Sequence, residues 1–396
     1  MRVQIVDPAA YTPPYDHALA GAVARAGAEV ELITCHFPYG PVPRHDETGG
    51  PSPHETGGSS RSPLAPAGPP RTYRVEEIFY RHGSRDGIGP RRRRLLRAAE
   101  HLPDMLRHRR RAADADLVHY QWLPIPGLDR RLLADRPRVF TMHWRLPEAD
   151  TRIARTLTRL LAEMDAVIVH SEHGAARLEA DFEVPPERLE VIPHGAFDSL
   201  TRQAEEVPLP EELRAVEGPV ILAFGLIRPY KGTDVLLEAF REVEGAELWI
   251  VGMPRMPIGP LRELAARAPG KVRFVDRFVT DPEIPAFMRR ADLVVLPYRN
   301  IEQSGVLYTA LAFGRPLVLS AVGGFPEIAE RGAAALVPPG DPAALAATLR
   351  TLLADGAARE RLAAGALALA EGPSSWDEIG RRTVALYRRV LGESPA

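Results

Sequence analysis

Short apolar, β-branched runs recur along this chain, and each is followed by a stretch with apolar residues at helical spacing. In the first half the runs are Val3–Val6, Val30–Ile33, Leu117–Tyr120, Val139–Thr141, Val167–Val169 and Leu189–Ile192. In the second half they are Val220–Phe224, Leu248–Val251, Val272–Val275, Leu293–Leu296, Leu317–Leu319 and Ala335–Val337. The runs are apolar throughout instead of alternating, as expected of strands that helices cover on both faces. Strand–helix alternation builds right-handed βαβ units and open parallel sheets. Twelve strands exceed what one such sheet usually holds, so an α/β chain with two doubly wound sheets is predicted.

The boundary is predicted near residues 198–218, where Thr201–Pro210 is polar, proline-bearing and without strand character. This gives a first domain over 1–198, a linker over 199–218, a second domain over 219–372 and a closing helix over 373–396. Within the first domain, residues 38–70 hold nine Pro and six Gly in 33 positions. Such a segment buries too little apolar surface to order itself and reads as a mobile loop.

Lys plus Arg number 50 against 52 Asp plus Glu, a balance that excludes a wholesale nucleic-acid binder. The single cysteine, Cys35, excludes an intramolecular disulfide and any multi-cysteine metal site. No apolar run approaches the ~18 residues of a membrane span. The start, Met1–Pro8, lacks the apolar stretch of a secretory leader, so a cytoplasmic location is expected.

Three segments after second-half strands can carry chemistry, because open α/β sheets bind ligands beyond the carboxyl ends of their strands. In Phe224–Thr233, Arg228 and Lys231 sit in a strand–helix turn that suits a diphosphate, although a solvated basic loop would look the same. In Pro297–Pro316, Ser304 and Gly305 can open a helix with outward amides, and Thr309 follows one turn later, facing a ribose; a plain capped helix is the other reading. In Ala321–Glu327, Gly323 and Gly324 permit close approach of a ligand or simply make a tight turn.

Taken together, the motifs FGxIRxYKG (Phe224–Gly232), QSGV (Gln303–Val306) and GGxPE (Gly323–Glu327) resemble one branch of the retaining, nucleotide-sugar-dependent glycosyltransferases of family 4. The resemblance covers the second domain and is looser in the first, where Thr141–His143, Val169–Ser171 and Val191–Gly195 carry it. It implies the GT-B fold: two Rossmann-like domains facing a cleft, with the last helix crossing back onto the first. It also implies a metal-independent hexosyltransferase without a cofactor, using a nucleotide diphosphate sugar as co-substrate. Gly225, Arg228, Lys231, Gln303, Ser304, Gly305, Val306, Thr309 and Glu327 would bind the donor, with His143, Arg228 and Lys231 catalytic. Tyr15, Asp16 and His17, on the turn that replaces the family's usual glycine pair, are read as acceptor contacts. Further departures are visible: Thr309 stands where the family places a ribose-binding glutamate, Glu302 is offset by one from the partner position, and Leu226 stands directly after Gly225 where the family has its arginine, Arg228 lying closer to the lysine. A catalytically degenerate nucleotide-sugar binder and a phosphorylase or epimerase on the same fold therefore stay open as alternatives.

Asp114-Ala115-Asp116 precedes a strand, the wrong end for a metal-assisted nucleotide site. His170 and His173 lack a third ligand for zinc. The stretch Arg71–Arg111 holds thirteen Arg against five acidic residues, interleaved with Leu95, Leu96, Leu102 and Leu106. It reads as a solvated helix face or as a basic face for anionic lipid. No aromatic stacking platform accompanies it, so nucleic acid is not expected. Peripheral attachment at the inner membrane face and a lipid-linked saccharide acceptor follow as expectations.

Overall fold

The computed structural model describes residues 1–37 and 73–393. The expected loop over 38–70 lies outside them. The chain divides into two units. Unit 1 comprises Met1–Ser171, Ala175–Pro193 and the residues from Trp376 onward; unit 2 comprises Glu172–Gly174 and His194–Ser375.

Unit 1 is built on seven parallel strands: β1 (Arg2–Val6), β2 (Glu29–Thr34), β3 (Tyr73–Glu77), β4 (Leu117–Tyr120), β5 (Arg138–Thr141), β6 (Ala166–Val169) and β7 (Leu189–Val191). Their spatial order is β3-β2-β1-β4-β5-β6-β7, so the order reverses between β1 and β4. Unit 2 has six: β8 (Val220–Phe224), β9 (Glu247–Val251), β10 (Val272–Val275), β11 (Leu293–Leu296), β12 (Leu317–Ser320) and β13 (Ala334–Val337). They run β10-β9-β8-β11-β12-β13, with the reversal between β8 and β11. Central strands such as β6 and β11 are buried at every position, which explains their unbroken apolar sequences.

All twelve expected strands are present, and β3 is the addition. It lies at the sheet edge with Arg74, Glu76 and Glu77 among its five residues, so only Tyr73 is buried and no apolar run betrays it. The basic stretch 71–111 is accordingly not one element: β3 opens it, and its arginine-dense part is the helix Pro90–Arg111. That helix is fixed from beneath. His101, buried, bonds the Tyr80 hydroxyl through Nδ1 (2.7 Å) and the Asp129 carboxylate through Nε2 (2.5 Å). Asp104 accepts the Tyr80 amide (2.7 Å).

The segment expected as a linker, 199–218, is packed into unit 2. It forms a 3-10 turn over Asp198–Arg202 and a short helix over Glu211–Arg214. Leu200 and Leu213 are buried in the same core as Val220, Trp249 and Phe287. Unit 2 accordingly starts at His194, and the closing helix runs Trp376–Val390.

That helix completes unit 1 by lying against the helix Pro13–Arg25, with Ile379, Val384 and Tyr387 in one core with Leu19 and Val23. Close approach depends on Gly380, where a Cβ would lie 2.4 Å from the Ala22 carbonyl oxygen. Tyr387 Oη is 2.6 Å from Nδ1 of His119, a fully buried residue of β4. Gly380→Ala should push the two helices apart and cost about 1–3 kcal/mol, as overpacking does. Urea unfolding followed by circular dichroism should show the lowered midpoint.

Candidate functional site

In unit 2 the chemistry-bearing residues gather at the carboxyl edge of the sheet, on either side of the β8/β11 reversal, where ligands of such sheets bind. The chain leaves β8 at Gly225 with φ +94°, a left-handed conformation that glycine adopts without strain. A Cβ there would meet Val306 Cγ2 at 2.9 Å and Lys231 Nζ at 3.0 Å. Residues expected from two separate motifs, Gly225 and Lys231 from one and Val306 from the other, thus converge on one point. Arg228 lies exposed on the same turn.

Lys231 is not a free surface side chain. It is half-buried, with Nζ 5.2 Å from the centroid of the Tyr298 ring, an aromatic face that favours a cation. Burial pushes its ammonium down to about 8, and nearby Arg228 works in the same direction. The small cavity beside it, about 20 Å³, is walled by Gly225, Thr233, Pro297 and Tyr298. It holds roughly one water, so a larger ligand would lie across its mouth.

The helix Gly305–Ala312 starts beside this point. Ser304 occupies its N-cap, but the hydroxyl makes no capping bond and instead lies 3.3 Å from Tyr298 Oη. The carbonyl of Ser304 takes the amides of Leu307 and Tyr308. Those of Gly305 and Val306, the first two of the helix, have no intrahelical partner by geometry and suit an anion. Gln303 Oε1 accepts from Tyr308 Oη (3.0 Å). Thr309 does not offer a free hydroxyl: it is 7% exposed, and Oγ1 donates to the Gly305 carbonyl at 3.0 Å. Glu327 is half-buried in the first turn of the helix Phe325–Glu330. The closest neighbour of Gly323 is the chain itself, for a Cβ there would sit 2.1 Å from the Ile301 carbonyl oxygen.

In unit 1 the corresponding edge holds His143, two residues beyond β5. Its Nε2 donates to Gln121 Oε1 (2.8 Å), and its ring stacks on Trp122 at 5.4 Å and 15°. Gln121 Nε2 donates in turn to His119 Nε2 (3.0 Å). Burial pushes His119 down to about 3 and His170 down to about 4, so both stay neutral. Of the expected acceptor contacts, Tyr15 is the one beside His143, edge-on at 4.7 Å, and it is buried. Asp16 and His17 are buried too. His17 Nδ1 lies 2.9 Å from Tyr73 Oη. Asp16 faces Asp7; burial raises both carboxyls, Asp16 well above the usual range. Tyr15, Asp16 and His17 are all buried because the helix Pro13–Arg25 is covered on more than one side. Trp122 and Gln121 went unnoticed in the sequence, although they directly follow β4 as His143 follows β5.

Asp114 and Asp116 lie at the opposite end of β4, where the Asp116 carboxylate accepts the Arg2 amide (2.6 Å). His170 Nδ1 donates to the Ile192 carbonyl (2.9 Å).

A half-buried cation held below its ordinary pKa weakens the unliganded fold. Below pH 8 Lys231 is protonated in both folded and unfolded chains, so the full penalty applies. Between about 8 and 10.5 the folded chain loses the proton first and the penalty fades. Lys231→Met should therefore raise stability at pH 7 by about 0.5–2 kcal/mol, with less gain at pH 10. Denaturant unfolding at the two pH values checks this.

Comparison with known proteins bears on the family and the fold. Residues 15–197 match the family model described as Glycosyltransferase Family 4, and residues 218–355 match that described as Glycosyl transferases group 1. The D-inositol 3-phosphate glycosyltransferase of Jonesia denitrificans is 32% identical over 314 residues, 69% of this chain and 72% of that protein. The GDP-mannose:glycolipid 4-beta-D-mannosyltransferase of Xanthomonas campestris is 34% identical over 146 residues, 36% of this chain and 40% of that protein. Among solved structures, HepE of Anabaena in complex with UDP superposes with a TM-score of 0.70 at 17% identity, covering 98% of this chain and 100% of that one. Sucrose-phosphate synthase of Thermosynechococcus elongatus superposes with 0.68 at 19%, covering 100% of both. The chain is a member of glycosyltransferase family 4 and has the GT-B fold.

Proposed function

We propose that this protein transfers a sugar from a nucleotide diphosphate sugar to an acceptor hydroxyl, with retention at the anomeric carbon and without a metal. The observation that carries the reading is the convergence of Gly225, Lys231 and Val306 beside the Gly305 and Val306 amides. As the bond from the anomeric carbon to the diphosphate breaks, its electron pair stays on the diphosphate oxygen. A preorganised cation and helix amides lower the cost of that charge. The acceptor oxygen bonds to the anomeric carbon on the same face, and its proton leaves with the diphosphate. A depressed Lys231 fits such a role, because a dianion arriving above it restores the full ammonium. The choice of donor class is supported by HepE, solved with UDP and with UDP-glucose, and by the mannosyltransferase relative, whose donor is GDP-mannose.

The acceptor is proposed to be membrane-associated. The helix Pro90–Arg111 exposes Leu95 (73%), Leu102 (45%) and Leu106 (37%), with Arg91, Arg94, Arg107, Arg109 and Arg110 also outward. An apolar stripe flanked by arginines suits an anionic lipid surface, each cation adding about 1 kcal/mol.

Two outcomes are expected. A panel of UDP-, GDP- and ADP-sugars, assayed with chelator present, should include one that the protein hydrolyses slowly to nucleotide diphosphate. Lys231→Ala should then lower kcat/KM by about 30-fold to 1000-fold, the usual cost of losing one such group. Donor binding without turnover, even with acceptors supplied, would make the protein a degenerate binder instead. The protein should also co-sediment with phosphatidylglycerol vesicles and not with phosphatidylcholine ones, and release as salt shortens the Debye length below about 10 Å. Leu102→Asp should weaken that binding.

A further inference from the structure

In unit 1 the strand order reverses between β1 and β4, and the two loops that leave those strands present aromatic rings to solvent. Tyr11, in the loop after β1, is 56% exposed. Its position is built, not incidental. The buried Asp7 carboxylate accepts the amides of Ala9 (3.1 Å), Tyr11 (2.6 Å) and Thr12 (3.3 Å). The turn between them forces Ala10 to φ +49°, a conformation that non-glycine residues rarely adopt and that gathers at functional sites. Trp122, directly after β4, is tied to the same loop by its indole N–H, which donates to Thr12 Oγ1 at 2.7 Å. The two rings meet edge-on at 5.1 Å, and Trp144 adds a third 6.3 Å from Trp122. The far side of this wall is His143, stacked on Trp122.

We infer that the exposed Tyr11 ring, braced edge-on by Trp122, forms a stacking platform for the acceptor and that the group it takes is a six-membered polyol ring, a pyranose or a cyclitol. The inference rests on the sugar-transfer reading for its location. A ring of this kind carries axial C–H bonds on one face; they are weakly positive and apolar, and they meet the negative face of an aromatic ring. Rigid aromatics supply such contact at low cost in side-chain entropy. An open-chain polyol has the same hydroxyls but no flat C–H face, so the platform discriminates between the two.

The test uses the full chain and three probes: methyl β-D-glucopyranoside, myo-inositol and open-chain sorbitol. Saturation-transfer NMR should show transfer to the ring C–H protons of at least one cyclic probe and little to sorbitol. Tyr11→Ala should weaken that binding about threefold to tenfold, and Tyr11→Phe should keep it. Trp122→Leu should weaken it similarly; if that variant fails to fold, the exposed Tyr11 pair still decides. Equal transfer to sorbitol, no effect of Tyr11→Ala, or an equal loss in Tyr11→Phe would each overturn the platform. Donor turnover with no Tyr11-dependent signal sinks this inference alone. Ring binding in a protein that turns over no nucleotide sugar leaves the platform standing and sinks the transfer reading.

Discussion

A parallel strand covered on both faces can carry almost nothing polar along its length, so polar chemistry is pushed to where strands end. Asp7, Gln121, His143 and His170 lie within two residues of the carboxyl ends of β1, β4, β5 and β6, and Gly225 and Tyr298 stand likewise after β8 and β11. One interior exception tests the rule. His119 lies inside β4 with no exposure, and it is tolerated because Tyr387, Thr141 and Gln121 all bond its ring. The same bonds run from the closing helix through Gln121 to His143, so the orientation of that imidazole is set by residues that belong to the core.

Both edges are places where the unliganded chain is less comfortable than it needs to be. Lys231 is held below its ordinary pKa, Asp7 and Asp16 are buried together, and Ala10 is forced to a left-handed backbone. Functional sites commonly carry such costs, which neighbouring structure must hold in place. Here the holders can be named: the Tyr298 ring under Lys231, and the backbone amides that surround the Asp7 carboxylate.

Much of this was legible in the sequence, for physical reasons. Unbroken apolar runs such as Leu293–Leu296 and Val167–Val169 announce doubly covered strands, and motifs placed after them locate the edge. What escaped was governed by partners that sequence order does not show. The edge strand β3 satisfies its one buried face with Tyr73 alone and leaves its charges in solvent. Thr309 looks like a ribose contact by position, yet its hydroxyl is consumed by the carbonyl one turn back. Tyr15, Asp16 and His17 follow a turn that suggests a binding loop, but the helix starts two residues earlier and all three are buried. Tyr11 and Trp122 are 111 positions apart, and only the β1–β4 pairing brings their loops together.

The helix Trp376–Val390 belongs to unit 1 although the whole of His194–Ser375 separates it from the rest of that unit. During synthesis, at roughly 5–20 residues per second, unit 2 emerges complete while unit 1 still lacks an element of its core. For those seconds the apolar face of Pro13–Arg25 around Leu19 and Val23 has no cover, and His119 waits for the hydroxyl of Tyr387. The second unit in sequence is therefore the first able to finish folding, and the nascent first unit depends for that interval on whatever shields its unfinished surface.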